Sequence, residues 1–183
     1  MEDGRPRLSS SILLARILSI AGHPFLLSPL TVAAASRNWK WTVVLAVGMI
    51  LPLTVIVARN VRRGRWSDFD VSRHEQRGGL YHVAAPLLAI TAVALYASGA
   101  RGTMMRSVVA VAAMLAVGFL ANRFLKVSLH MMFAAFCTVI LGYLWMWAFV
   151  AAIAWSRWKL ERHTLAEIAF GLVVGTIAGY AVA

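Results

Sequence analysis

Long apolar runs separated by short, arginine-rich connections set the pattern of this chain. A helix crosses the ~30 Å hydrocarbon core of a bilayer in about 20 residues, and most of the runs approach that length. The pattern therefore predicts an all-α, polytopic membrane helix bundle of about six to seven spans, folded as a single domain over residues 1–183. The predicted spans are 12–35, 41–58, 80–98, 103–121, 128–142, 144–157 and 165–182.

Composition agrees with a membrane location and favours membrane lipids over nucleic acid as partners. The 183 residues are 61% hydrophobic, and the mean hydropathy is +0.75. The net charge of +11 comes from 18 Lys and Arg against 7 Asp and Glu, and most of the arginines lie between apolar runs. This distribution is typical of a positive-inside membrane protein, so membrane lipids are predicted partners and nucleic acid is not. A lone Cys137 excludes an intrachain disulfide framework.

Charge in the connections alternates from one side of the predicted bundle to the other. One side carries the connections at 59–79, 123–126 and 157–162 together with Arg5 and Arg7, and the other side carries fewer basic residues and an uncharged C-terminus. The positive-inside rule places the more basic side in the cytoplasm. We therefore predict a multi-pass protein of the cell inner membrane whose polar face, including the loop 59–79, is cytoplasmic.

Two of the runs do not fit a simple crossing. The run 12–35 is interrupted at Gly22-His23-Pro24, which predicts a kink or a segment that dips into the membrane. Residues 131–155 are too many for one crossing and few for two. Aromatic residues around Gly142 indicate a turn at a membrane surface, which favours two short helices. Only an even number of passes leaves His130 and His163 on the same face.

A cluster of polar residues near the end of the chain carries the first chemical signal. If the segment from His163 onward is helical, His163 and Glu167 are neighbours on one face. The carboxylate then holds one imidazole nitrogen and makes the other a better nucleophile, and Arg157 becomes a clamp for an anion. The same residues also fit a loop of interfacial basic side chains followed by a helix-capping acid.

A second cluster, Lys126-x-Ser128-x-His130, opens the predicted helix at 128–142. Backbone N–H groups at the start of a helix are unpaired and carry positive partial charge, so this opening forms a cradle for phosphate. Lys126 adds charge to it. A third cluster ends at Arg77, just before a span, where an arginine commonly extends from the helix end to the membrane surface.

Together the three clusters resemble the signature motifs of the type 2 phosphatidic acid phosphatase superfamily, over about residues 70–179. The third family motif, Ser-Arg-x5-His-x3-Asp, is matched at Ser156, Arg157 and His163, with Glu167 in place of aspartate. The third motif thus occupies 156–167.

The other two motifs match in part. Within 123–130, Ser128 and His130 match Pro-Ser-Gly-His, and within 59–79 only Arg77 matches Lys-x6-Arg-Pro, with Asp70 at the lysine position. A branch of the superfamily with Asp-x6-Arg and Lys-x-Ser-x-His is the one that this chain resembles. In such a branch Lys126 supplies the charge that the missing lysine would give.

The resemblance implies a metal-independent phosphatase that acts on a phosphomonoester or diphosphate of a lipid or isoprenoid. His163 would attack phosphorus and form a phosphohistidine, and His130 would protonate the leaving oxygen, with Glu167 orienting His163. No cofactor and no metal is implied. The residues expected to bind the substrate are Arg77, Lys126, Ser128, Arg157 and Asp70.

Other interpretations of the sequence stay open. A non-catalytic or transport protein of the same fold fits the altered first motif, and a haem-binding cytochrome with His82 and His130 as axial ligands is a further class. A magnesium site would have to use Asp68, Asp70 and Glu75, the only clustered acids. The glycines of the last span, which recur at every fourth residue, favour close helix packing within the bundle or in a homodimer. They are Gly171, Gly175 and Gly179.

Overall fold

The structure is a computed structural model that describes residues 9–71 and 73–183. Its first two helices are separated by a break at Gly22 and His23. Helices α1 (Ser10–Ala21) and α2 (Pro24–Ser36) are bent by 50° relative to each other. Proline suits the first turn of α2 because it needs no hydrogen bond there, and His23 Nδ1 caps the helix by accepting from the Phe25 N–H. The predicted break in the run 12–35 is confirmed.

Three long apolar helices follow. Helices α3 (Trp39–Leu45) and α4 (Leu51–Arg62) are continuous through a π-helical turn at Ala46–Ile50, just before Pro52, whose missing N–H disturbs regular helical bonding. The next helices are α5 (Arg77–Ala97), preceded by a short 3-10 turn at His74–Gln76, and α6 (Thr103–Ala121).

Among the described residues, three helices are long and apolar enough to cross a membrane, and the bent pair α1 and α2 adds a fourth if it counts as one span. Their outward faces carry exposed apolar side chains such as Ile90, Val93 and Val109. These helices are compatible with a membrane protein, and the described residues contain no strand. The prediction of an all-α chain is confirmed. The number of spans stays a prediction, and Arg5 and Arg7 lie outside the described residues.

Two short helices, α7 (Leu129–Leu141) and α8 (Met146–Lys159), form a hairpin. Gly142 ends α7 in the left-handed conformation at φ 70°, which glycine adopts without a steric penalty. The predicted division of 131–155 into two short helices is confirmed. Because the two helices run in opposite directions, the start of α7 and the end of α8 lie at the same end of the bundle.

The last helix, α9 (Leu165–Tyr180), packs closely on α7 through its glycines. A methyl group at Gly171 would lie 2.7 Å from the Ser128 carbonyl oxygen, and one at Gly175 would overlap the backbone of Met132. The glycine face is thus occupied by a helix of the same chain, as expected for packing within the bundle. A homodimer stays a prediction.

Replacing Gly175 by alanine should destabilise the fold, because the added methyl group meets backbone that cannot move without separating α7 from α9. Overpacking of this kind costs ~1–3 kcal/mol, and we expect the unfolding midpoint of the purified protein to fall by about 2–12 °C. Gly78→Ala is the matched control, since its methyl group would meet no atom within 4 Å. A Gly175→Ala protein as stable as Gly78→Ala would contradict the packing of α9 on α7.

Candidate active site

Buried polar side chains concentrate at the end of the bundle where α5, α7 and α9 begin and α8 ends. A buried polar or charged group is costly unless it has a partner, so such a concentration marks a site rather than ordinary packing. The structure brings together residues from all three sequence clusters. The buried ones are Arg77, Ser128, His130, Ser156, Arg157 and His163.

His163 is held by two acceptors on one nitrogen. Its Nδ1 lies 2.9 Å from Glu167 Oε2 and 3.1 Å from the backbone oxygen of Lys126. Two acceptors require a proton on Nδ1, so the neutral ring has its lone pair on Nε2. That lone pair faces the Arg77 guanidinium, whose Nη2 is 3.4 Å from Nε2. The free nitrogen of His163 therefore points at a cation that an anionic substrate would also contact.

Glu167 has a second task at the start of α9. Its Oε2 accepts from the Thr164 N–H at 3.1 Å, and Thr164 Oγ1 accepts from the Glu167 N–H at 3.3 Å, which is a capping box. The carboxylate that fixes the helix start is thus the one that orients His163. Both interpretations of this segment, a helix-capping acid and a partner for the imidazole, hold at once.

Burial, followed by the charges of Arg77 and Arg157, lowers the pKa of His163 to about 2. The imidazole is therefore neutral at physiological pH, and its contact with Glu167 is a hydrogen bond rather than an ion pair. A neutral imidazole with a free Nε2 lone pair is the form required of a nucleophile.

Arg77 connects the first sequence cluster to the second. Its Nη1 donates to the Val127 carbonyl and its Nε to the Val71 carbonyl, and the side chain is almost fully buried. The remaining donor, Nη2, faces His163. Burial is also the main cause that lowers the pKa of the nearby Lys126 ammonium. The two backbone carbonyls thus fix the Arg77 guanidinium beside His163.

Ser128 stands at the start of α7 without capping it. Its hydroxyl is buried and has no hydrogen-bond partner among the described residues. The N–H groups of the first turn of α7 therefore have no side-chain acceptor from Ser128, as the predicted phosphate cradle requires. An unpaired buried hydroxyl beside a helix start is a donor available to an anion.

Arg157 forms a short ion pair with Asp70. Its Nη1 donates to Asp70 Oδ2 at 2.7 Å and to Ser19 Oγ at 2.5 Å, and only 1% of the side chain is exposed. Burial would raise the pKa of Asp70, but the charge and the hydrogen bond of Arg157 outweigh it and lower that pKa. Asp70, predicted as a substrate ligand, is thus an ionised partner of Arg157.

Sequence reasoning missed two residues of the first broken span. Ser19 binds Arg157, and His23 Nε2 lies 3.7 Å from Asp70 Oδ1, with its ring centroid 5.0 Å from that of His130. The only signal was the Gly22-His23-Pro24 break, which predicted a kink. A histidine at a break in an apolar run is the one feature from which a role in the site could have been inferred.

Three ligand-type atoms lie close enough to share a metal ion. One atom each from His23, Asp70 and His130 lies within 4.8 Å of the other two. However, His23 Nδ1 accepts from the Phe25 N–H, which places the proton of the neutral ring on Nε2, the atom that faces the group. The charge of Arg157 beside Asp70 also opposes a cation. The donor set in this arrangement fits a hydrogen-bonded cluster better than a metal site.

The residues of the remaining sequence alternatives do not come together. Asp68 pairs with Arg162 at 3.1 Å and Asp70 with Arg157, so both acids contact arginines of the third cluster. His82 lies on the exposed face of α5 beside Phe119, whereas His130 is buried against His23. The two histidines considered as axial haem ligands therefore face different surroundings.

An apolar cavity of about 470 Å³ opens from this cluster. Its polar end is lined by His23, Asp70, Arg77 and His130. It follows α5 towards the connection between α5 and α6, where Arg101 contributes to the wall. A cavity of this size with a polar end is suited to an amphiphile whose head lies at the cluster.

Comparison with protein-family models, with curated proteins and with solved structures finds no match to this chain. A function for the chain therefore has to be inferred from the geometry and chemistry of the site.

The ion pair between Arg157 and Asp70 should matter more for stability than the more exposed pair between Arg162 and Asp68. Arg157→Gln leaves a partly buried carboxylate without its partner, and we expect a loss on the order of 3 kcal/mol. Arg162→Gln should cost less than ~1 kcal/mol. Denaturation of both variants in the same detergent checks the difference. Equal losses would contradict the geometry of Arg157.

Proposed function

We propose that this protein is a membrane phosphatase that removes phosphate from a lipid or isoprenoid phosphate through a phosphohistidine at His163. The observation that carries the proposal is the state of the His163 ring, with Nδ1 held by Glu167 and the Lys126 carbonyl and Nε2 directed at Arg77. The resemblance of the three motifs to the type 2 phosphatidic acid phosphatases gives the same assignment.

In the first half of the proposed reaction, His163 Nε2 attacks phosphorus, the N–P bond forms and the bond to the leaving oxygen breaks. His130, when protonated, gives its proton to that oxygen. Arg77, Arg157 and the start of α7 with Ser128 stabilise the phosphoryl oxygens, and Lys126 adds positive charge. The Glu167 carboxylate beside Nδ1 stabilises the positive charge that develops on the phosphorylated ring.

In the second half, water attacks the phosphohistidine from the side that the leaving group vacated. His130, now neutral, takes a proton from that water as the N–P bond breaks. Inorganic phosphate leaves, and His163 returns to the neutral form with its proton on Nδ1. The cycle then restores the starting protonation state of both histidines.

The apolar cavity supports a substrate with a long hydrocarbon chain. The cavity begins at Arg77 and His130 and continues past Ala84 and Leu88 of α5. A lipid phosphate with its head at the cluster would place its chain there, and the walls offer little to distinguish an acyl chain from an isoprenoid.

We further propose that the chain crosses the inner membrane six to seven times and keeps this site at the cytoplasmic side. The four arginines at the end of α4 and just after it support that orientation. They are Arg59, Arg62, Arg63 and Arg65. With about 20 Å for the 13 residues of α7, the site would lie below the lipid headgroups.

His163→Asn should abolish phosphate release from phosphatidic acid and from isoprenyl phosphates, because it removes the imidazole whose Nε2 is assigned to attack phosphorus. The loss should be at least about 10³-fold, as for removal of a nucleophile. His82→Asn, an exposed histidine of α5, is the matched control and should retain full activity. Activity of His163→Asn equal to that of the control would remove His163 as nucleophile, and a wild type inactive on every lipid tested would favour the non-catalytic alternative.

Leu88→Trp should obstruct the cavity and therefore slow the hydrolysis of long-chain substrates but not of short ones. We expect kcat/KM for a long-chain lipid phosphate to fall about tenfold, equivalent to ~1.4 kcal/mol of lost binding. Hydrolysis of p-nitrophenyl phosphate, which has no chain, should be unchanged. Ile90→Trp, on the exposed face of the same helix, is the control. Equal effects of Leu88→Trp on both substrates would place the lipid chain elsewhere.

A further inference from the structure

A carboxylate in a phosphate site needs an explanation, because it repels the phosphoryl oxygens. The two oxygens of Asp70 face different partners. Oδ2 accepts from Arg157 at 2.7 Å, whereas Oδ1 lies 3.7 Å from His23 Nε2 and 4.0 Å from His130 Nε2. Oδ2 is therefore bound by Arg157, and Oδ1 faces the imidazoles of His23 and His130.

The protonation of each imidazole determines whether its Nε2 directs an N–H or a lone pair at Asp70. His23 Nδ1 accepts from the Phe25 N–H, so its Nε2 carries the proton and is oriented to stabilise a negative Oδ1. His130 Nε2 is buried without a hydrogen-bond partner in the described part of the chain. A neutral His130 with its proton on Nδ1 would present a lone pair to a carboxylate oxygen, which is unfavourable.

A protonated His130 removes this conflict, because an N–H then faces the negative oxygen. The cations Arg77 and Arg157 oppose protonation of His130, so the carboxylate is needed to balance them. At 4.0 Å, Oδ1 is too far to hold the proton in a hydrogen bond. Asp70 can thus favour the charged ring by its charge while leaving the Nε2 proton available to another acceptor.

The three side chains share one place in the structure. His23, Asp70 and His130 all line the polar end of the cavity. The leaving oxygen of a substrate whose chain enters that cavity would lie beside these three side chains.

We propose that Asp70 and His23 are positioning residues for His130: the negative charge of Asp70, which the His23 N–H faces, favours the protonated His130 ring that donates to the leaving oxygen. This inference rests on the proposed phosphatase function. Asp70 then acts on the proton donor His130 instead of binding the substrate directly. His23, which lies outside the three motifs, supports Asp70 in this role.

The test uses the dependence of the rate on the leaving group. An alkoxide from a lipid or alkyl phosphate needs a proton to leave, whereas p-nitrophenolate leaves without one. Asp70→Asn should therefore lower kcat for an alkyl phosphate by about 10²-fold, as expected when general acid catalysis is lost, and change kcat for p-nitrophenyl phosphate less than about threefold. His23→Asn, which preserves the cap of α2 because asparagine is a good N-cap, should lower the alkyl rate by about tenfold.

Two control variants complete the test. His130→Gln should show the same selective loss as Asp70→Asn, and Asp68→Asn, in the pair with Arg162, should leave both rates within about twofold of wild type. If Asp70 only positions Arg157, its variant loses both rates equally, and the inference is overturned. It is also overturned if His23→Asn changes neither rate, or if chelation abolishes alkyl phosphate hydrolysis and zinc restores it, since the three side chains would then hold a metal. A wild type inactive on both substrates would instead overturn the phosphatase itself.

Discussion

The hydrogen bonds on His163 Nδ1 are the constraint on which the rest of the site depends. They come from two different segments, the Lys126 carbonyl before α7 and the Glu167 carboxylate in the first turn of α9. Holding both acceptors on one nitrogen requires α7 and α9 to lie in close contact, and the glycines of α9 permit that contact. Helix packing thus fixes the tautomer, and in this tautomer the Nε2 lone pair accepts from Arg77 Nη2.

Charge balance accounts for the remaining residues of the cluster. The cations Arg77 and Arg157 are buried together at one end of an apolar bundle, and they repel one another unless anions separate them. Glu167 and Asp70 are the carboxylates that enter the cluster, each against a different histidine. An incoming phosphate would add the negative charge that the arginines still lack.

Local spacing made part of this arrangement predictable from sequence. His163 and Glu167 are four residues apart, and although α9 begins only at Leu165 rather than at His163, the turn before it keeps the two side chains in contact. The length of 131–155 with a turn at Gly142 predicted the hairpin of α7 and α8. The contacts of His23 with Asp70 and His130 were not predictable, because they join residues that are far apart in the chain. No periodicity or local spacing encodes such contacts. Tertiary packing of the broken first span on α7 and α8 creates them.

Identifying the phosphorylated atom would test the proposed phosphohistidine most directly. The protein is mixed with an isoprenyl or lipid phosphate labelled in its phosphate, quenched in alkali within the first turnover and digested for tandem mass spectrometry, and ³¹P NMR distinguishes the two phosphohistidine isomers. We predict label on His163, at Nε2, because Nδ1 is occupied by Glu167 and the Lys126 carbonyl. Label on Nδ1, label on His130, or turnover without any phosphorylated histidine would contradict the role assigned to His163.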